Sequence, residues 1–195
     1  MKLVFASNNA HKLSEVRNIL RNIEVLSLRE IGFFQEIDET GETLEENSRL
    51  KASTVWQWLS KNNKLTSCDG VFADDTGLEI FYLGGNPGVY SARWAGEPSN
   101  DANNRAKVLS ELSGVSSRQA QFRTVITLIG NGNDLQVDGV VKGQIAESES
   151  GEQGFGYDSI FIPEGHTCTF AMLSAEEKNA ISHRARALHA LREVL

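Results

Sequence analysis

MKLVFASNNAHKLSEVRNILRNIEVLSL, residues 1–28, changes its hydrophobic period twice, and those changes decide the fold. Residues 1–6 form a short apolar run with one cation. That is the length of a buried strand and too short for a signal peptide. Ser7, Asn8, Asn9 and Ala10 make a polar turn. Leu13, Val16, Ile19 and Leu20 then recur at helical spacing, and residues 23–28 return to an extended pattern. A strand, a helix and a second strand in this order predict a parallel pair joined by a right-handed crossover.

The rest of the chain continues the same mixture. Thr43-Leu44-Glu45-Glu46 has capping-box spacing and predicts a helix to about Leu59. Residues 71–74 and 78–83 read as extended segments on either side of Asp75-Thr76-Gly77. Gly84-Gly85-Asn86-Pro87-Gly88 marks a loop over residues 83–96, and residues 100–112 are helical, stopping before Gly114. Residues 119–129 and 135–145 are strands around Asn131-Gly132-Asn133-Asp134, a hairpin turn. Residues 148–156 form a loop, 159–162 a short strand, and Ser174 opens a helical end. The expectation is a single α/β domain over residues 1–195, a mixed sheet with helices against its faces.

Composition narrows the function. No apolar run approaches the ~20 residues a membrane helix needs. A net charge of −7 argues against a general nucleic-acid surface. Any phosphate site must gather its cations in one place, and the acidity suits a divalent metal. Cys68 and Cys168 make neither a disulfide framework nor a metal cluster, which fits a reducing cytoplasm.

Several short stretches carry residues suited to chemistry. Ser7-Asn8-Asn9-Ala10-His11-Lys12 lies between a strand and a helix, where unpaired N–H groups and the helix dipole suit phosphate. A capped helix with a solvated lysine is the plainer alternative. Asp74-Asp75-Thr76-Gly77 sets two carboxylates side by side, which repel unless a cation or donors offset them. Mg²⁺ needs only one or two such acids plus water and substrate oxygens. An acid here also suits a proton acceptor for an attacking water, although an acidic β-turn would look the same. Asp38-Glu39-Thr40-Gly41 is a further acidic group. Asn47 and Lys51, one turn apart on the following helix, share a face, and a solvated lysine is again the alternative.

Gly154-Phe155-Gly156-Tyr157-Asp158 frees aromatic rings to stack on a planar ligand, with Asp158 able to accept from a base edge. A turn with core aromatics is the alternative. In Glu176-Glu177-Lys178-Asn179-Ala180-Ile181-Ser182-His183-Arg184, one unbroken helix would point Lys178, His183 and Arg184 in three directions. A break near Ser182 brings those cations together. A continuous surface helix leaves them unexplained.

In order along the chain, SNNAHK, DETG, ENSRLKA, ADDTGLE, LGGNPGVYSARWAG, GFGYD and LSAEEKNAISHRARAL together resemble the inosine/xanthosine triphosphate pyrophosphatase family. The resemblance covers nearly the whole chain. It implies an elongated mixed sheet flanked by helices, two lobes around a central cleft, and homodimers. It also implies Mg²⁺-dependent hydrolysis of ITP, dITP and XTP between the α- and β-phosphates. By matching motif, Ser7, Asn8, Asn9, Ala10, His11 and Lys12 cradle the triphosphate. Asp75 stands at the proton acceptor and metal ligand, and Thr76 touches substrate. Asp38 matches the second acidic metal position, often Glu in relatives, and the neighbouring Glu39 stays open as the alternative. Phe155, Gly156, Tyr157 and Asp158 hold the base, and Lys178, His183 and Arg184 reach base and phosphate.

The mechanism expected is attack of water on the α-phosphorus, with Asp75 and Asp38 holding Mg²⁺ and Lys12, Lys51 and Lys178 assisting. Two rivals remain open: a pyrophosphatase for ordinary or pyrimidine nucleotides, and a nucleotide sensor without turnover.

Overall fold

The computed structural model describes residues 1–130 and 132–195, and of Asn133 the backbone alone. Strands β1 (Lys2–Phe5) and β2 (Glu24–Ser27) pair in parallel, Leu3 opposite Val25, through helix α1 (Ala10–Ile19). Val16 and Leu20 are buried, while Leu13 and Ile19 are partly covered. A short helix α2 (Leu28–Ile31) follows where strand was expected to reach Leu28. Ser27 and Glu30 form a capping box, and Gly32 closes the helix at φ 81°. Helix α3 (Leu44–Lys61) opens on the Thr43–Glu46 capping box.

Strand β3 (Gly70–Ile80) corrects the sequence reading. Eleven residues run unbroken where two extended segments around an acidic turn were expected, so Asp74 and Asp75 lie within a strand. Each carboxylate has a lysine partner, which removes the repulsion that favoured a turn. Gly77 lets a neighbour come close: a Cβ there would sit 2.7 Å from the Gly88 carbonyl in strand β4 (Pro87–Gly88), which pairs antiparallel with β3. The expected strand end at residues 81–83 is a 3-10 turn.

Helix α4 (Asp101–Glu111) is capped by Asn100. Strands β5 (Gln119–Gly130) and β6 (Asn133–Ile145) are neighbours in the sheet, and the hairpin turn expected between them includes Asn131, outside the described residues. A 3-10 turn over Asp158–Ile160 leads into strand β7 (Phe161–Pro163). Helices α5 (Ala175–Ile181) and α6 (His183–Glu193) are separated at Ser182, whose backbone is extended (φ −65°, ψ 155°), as the cation spacing required. The sheet order is β2-β1-β3-β5-β6-β7, with β4 on β3, and it mixes parallel and antiparallel pairs. Among the described residues no helix is long and apolar enough to cross a membrane.

The chain divides into two compact units. One comprises Met1–Asp75, Thr124–Gly139 and Ala185–Leu195; the other comprises Thr76–Arg123 and Val140–Arg184. In the first, Leu3, Phe5, Phe72, Ile126, Leu188 and Leu191 form a core around a stacked Phe5–Phe72 pair with centroids 4.9 Å apart. A second cluster there joins Val4, Leu28, Phe33, Ala52, Val55 and Val71. The other unit centres on Leu78, Ile80, Val108, Phe122, Phe161 and Phe170. Each fully buried side chain of this kind contributes about 1.5–3 kcal/mol.

Candidate functional site

In the first unit the acidic and basic residues converge on β3. Lys12, in the first turn of α1, donates from Nζ to Asp74 Oδ1 at 3.0 Å, and Asp74 is only 1% exposed. Lys51 projects from α3, and its Nζ lies 2.8 Å from both Asp75 Oδ1 and Glu39 Oε1. Lys51 is therefore buried and paired, not a solvated surface lysine. Burial alone would lower its ammonium, yet the summed field of Asp75, Glu39 and Asp74 raises it. Asp75 shares that one ammonium with other acids. Burial therefore prevails and pushes its carboxyl above the ordinary value, against the pull of Lys51 and Lys12.

The helix that carries Lys51 is locked to β3 below the charges. Ser48 lies within hydrogen-bonding distance of the Ala73 carbonyl and the Thr127 hydroxyl, 2.9 Å in each case. Gln136 Nε2 donates to that hydroxyl and to the Glu45 carbonyl. Asn47, fully buried, accepts the Gly41 N–H at 2.8 Å and so anchors the acidic segment 38–41. Its Nδ2 has no partner among the described residues. A buried donor in that state costs about 1–3 kcal/mol, an open invitation to an acceptor oxygen.

Ser7 to Asn9 form the turn before α1, and the exposed Ala10 and His11 open the helix. Ser7 Oγ accepts the Asn9 N–H, and Asn9 Oδ1 accepts the Lys12 N–H. These bonds shape the turn and present the first peptide groups of a ten-residue helix. The arrangement suits an anion.

The second unit gathers the aromatic and cationic residues. Asp158 Oδ2 accepts the Phe155 N–H and the Lys178 ammonium, both at 2.8 Å. Gly154 makes room for this: at φ +79°, a Cβ there would sit 2.1 Å from the same oxygen. Lys178 Nζ lies 4.7 Å from the Phe155 ring centroid and the Arg184 guanidinium 5.7 Å. The helix break thus brings both cations to one ring. Arg184, 1% exposed, also donates to Thr76 Oγ1 at 3.3 Å. His183 is set differently, stacked on Phe122 at 4.6 Å in the aromatic core. Tyr157 is a core residue too. Its hydroxyl donates to the Ser91 carbonyl at 2.7 Å, and burial, with Asp101 and Glu111 nearby, pushes its phenol far up.

Glu39 was open in the sequence and is now the acid on Lys51, whereas Asp38 is exposed. Asn47 stood on the Lys51 face without a role. Nothing in the local sequence marked Ser48 or the pairing of Lys12 with Asp74, because each depends on a partner distant in the chain.

Carboxylates already drawn around an ammonium suit a divalent cation, and the unpartnered buried amide donor of Asn47 suits an acceptor oxygen. Among the described residues no three His, Cys, Asp or Glu side chains form a closed metal nest. Mg²⁺ does not need one, since it keeps several waters and takes substrate oxygens.

Comparison with known proteins gives the family. A model of the Ham1 family matches residues 3–194. The chain is 48% identical to a dITP/XTP pyrophosphatase of Flavobacterium psychrophilum, over 98% of this chain and 97% of the relative. It is 47% identical to the dITP/XTP pyrophosphatase of Bacillus subtilis, over 98% and 96%. The solved Ham1 protein of Staphylococcus aureus superposes with a TM-score of 0.86 at 39% identity, covering 100% of this chain and 97% of that one. A HAM1 protein from Coxiella burnetii gives 0.87 at 39%, covering 100% and 98%. With nearly every residue matched and the mixed sheet shared, the chain belongs to the Ham1 family.

Proposed function

We propose that the chain is a pyrophosphatase for aberrant purine nucleoside triphosphates, releasing the monophosphate and pyrophosphate from ITP, dITP and XTP. The observation that carries this is the buried Asp75 held by Lys51 beside Glu39 and the Lys12–Asp74 pair. Relatives named for dITP and XTP hydrolysis support the substrate class.

Asp75 and Glu39 would hold Mg²⁺, with Asp38 the more exposed alternative to Glu39. The chemistry the ion supplies when bound is neutralisation of phosphate charge and polarisation of the α-phosphorus. Asp75 accepts the proton of the attacking water. Lys12 and Lys51 offset charge gathering on the phosphate oxygens, and the turn from Ser7 to His11 contributes main-chain N–H groups. No side chain forms a covalent intermediate. Burial holds the Cys68 thiol above its usual range, a poor nucleophile.

The base stacks on Phe155. Hypoxanthine and xanthine present an acceptor at position 6 where adenine presents an amino donor. Donors from Arg184 or nearby N–H groups match the first two and oppose the third, each mismatch costing about 1–3 kcal/mol. A homodimer in a reducing cytoplasm goes with this reading. Both cysteines are free, and the exposed Phe81, Tyr82 and Tyr90 rings offer apolar surface for a second copy.

Pyrophosphate release from ITP, XTP, GTP, ATP and dUTP, with and without Mg²⁺, tests the assignment. ITP and XTP should be turned over only with the ion. Preference for dUTP or ATP would make the protein a pyrophosphatase of another specificity, and tight binding without release would make it a sensor.

Arg184→Ala should shrink the ITP/ATP ratio of kcat/KM, by about tenfold for each 1.4 kcal/mol of discrimination lost. Removing so buried a side chain will also lower stability. The ratio, measured on one sample, cancels the folded fraction. A common loss for all nucleotides would make Arg184 a phosphate contact instead.

A further inference from the structure

Gly156 sits in the middle of the base-binding loop at φ +61°, and a Cβ on it would meet nothing within 4 Å. No packing from that side holds its conformation. What holds it is one face of α4. Asp101 Oδ2 accepts the Gly156 N–H at 2.9 Å, and Arg105 donates from its guanidinium to the Gly156 carbonyl, also at 2.9 Å. Asp101 and Arg105 are four residues apart, neighbours on the helix surface. They grip both main-chain polar groups of a single residue. Arg105 Nε also reaches Glu149 Oε2 at 2.8 Å, and that oxygen accepts from Ser159 Oγ at 3.0 Å. One guanidinium therefore fastens the start, the middle and the end of the segment that carries Phe155.

We propose that Asp101 and Arg105 are positioning residues for base recognition, acting through Gly156 to set the height and tilt of the Phe155 ring. The proposal rests on Phe155 being the base platform of the proposed function. Charge-assisted bonds of this kind are stronger and more directional than neutral ones. The clamp governs affinity for the base and leaves phosphate binding untouched.

The test uses Asp101→Ala, Arg105→Ala, Arg105→Lys and the double alanine variant of the full chain. Amide exchange at residues 155–158 should quicken in each alanine variant, whatever the substrate proves to be. KM for ITP and the inhibition constant of IMP should rise about fivefold or more, while kcat and the inhibition constant of pyrophosphate stay within about twofold. The double variant should be little worse than the weaker single one, because both side chains hold one residue. Arg105→Lys, which retains a donor, should recover part of the loss. Unchanged exchange overturns the proposal, and so does a pyrophosphate constant that rises in step with that of IMP. Failure of the functional reading shows elsewhere, as no turnover in the unaltered protein.

Discussion

Asp75→Asn should lower pyrophosphate release by about 10²–10⁴-fold or more while the protein remains folded. The substitution keeps the shape of the side chain and removes both the proton acceptor and a negative charge at the proposed metal position. Lys51 retains Glu39 at 2.8 Å, so its ammonium is not stranded. The stability effect has a definite sign. The Asp75 carboxyl is raised above its ordinary value of 3.8 in the folded chain, because burial disfavours the ion. At neutral pH the ionised group therefore subtracts from stability, and that penalty fades as pH falls through the raised folded value. Without metal, the Asn variant should be slightly more stable than the parent at pH 7, and the advantage should vanish in acid. Denaturant melts in a chelator at both pH values, alongside turnover, measure both effects. Wild-type turnover in the variant would move the catalytic role to Glu39, Asp38 or Asp74.

Lys178→Ala should carry the largest stability cost of any single change at the site, about 3–5 kcal/mol. The ammonium is 2.8 Å from Asp158, and both side chains are less than a tenth exposed. Its removal takes the paired cation from a buried carboxylate that also accepts the Phe155 N–H. Stability and base affinity should fall together. Adding Asp158→Asn removes the buried charge and should restore part of the stability, a coupling that a double-mutant cycle in urea isolates. If Lys178→Ala costs less than about 1 kcal/mol, the pair is worth no more than an exposed ion pair, and the loop is held by other contacts.

Local chemistry was readable where a signal and its consequence lie within a few residues. The β1-α1-β2 crossover, the capping boxes at Thr43 and Ser174, and the break at Ser182 all followed from spacing. Ser27-Leu28-Arg29-Glu30 carried the same capping signal for α2, hidden because that helix lasts four residues before Gly32. β3 was misread for a different reason. Consecutive acids look like a turn only while Lys12 and Lys51 are absent from the picture, and both come from helices earlier in the chain. The choice of Glu39 over Asp38 on Lys51 is likewise a matter of loop path, which Asn47 fixes through Gly41. Tyr157 read as a base contact because it sits among glycines. Its partner, the Ser91 carbonyl, is 66 residues away.

The division into two units bears on how the chain is made. Its backbone passes from one unit to the other after Asp75, Arg123, Gly139 and Arg184, so no single truncation yields either unit whole. Leu3 and Phe5, made before the rest of their unit, pack against Leu188 and Leu191, which are made after it. That core cannot close until α6 has been made. The Thr76–Arg123 stretch of the other unit must likewise wait for residues 140–184. Contacts this distant in sequence slow folding and leave apolar surface open meanwhile. β1 therefore waits, through the making of all that lies between, for a helix that has not yet been translated.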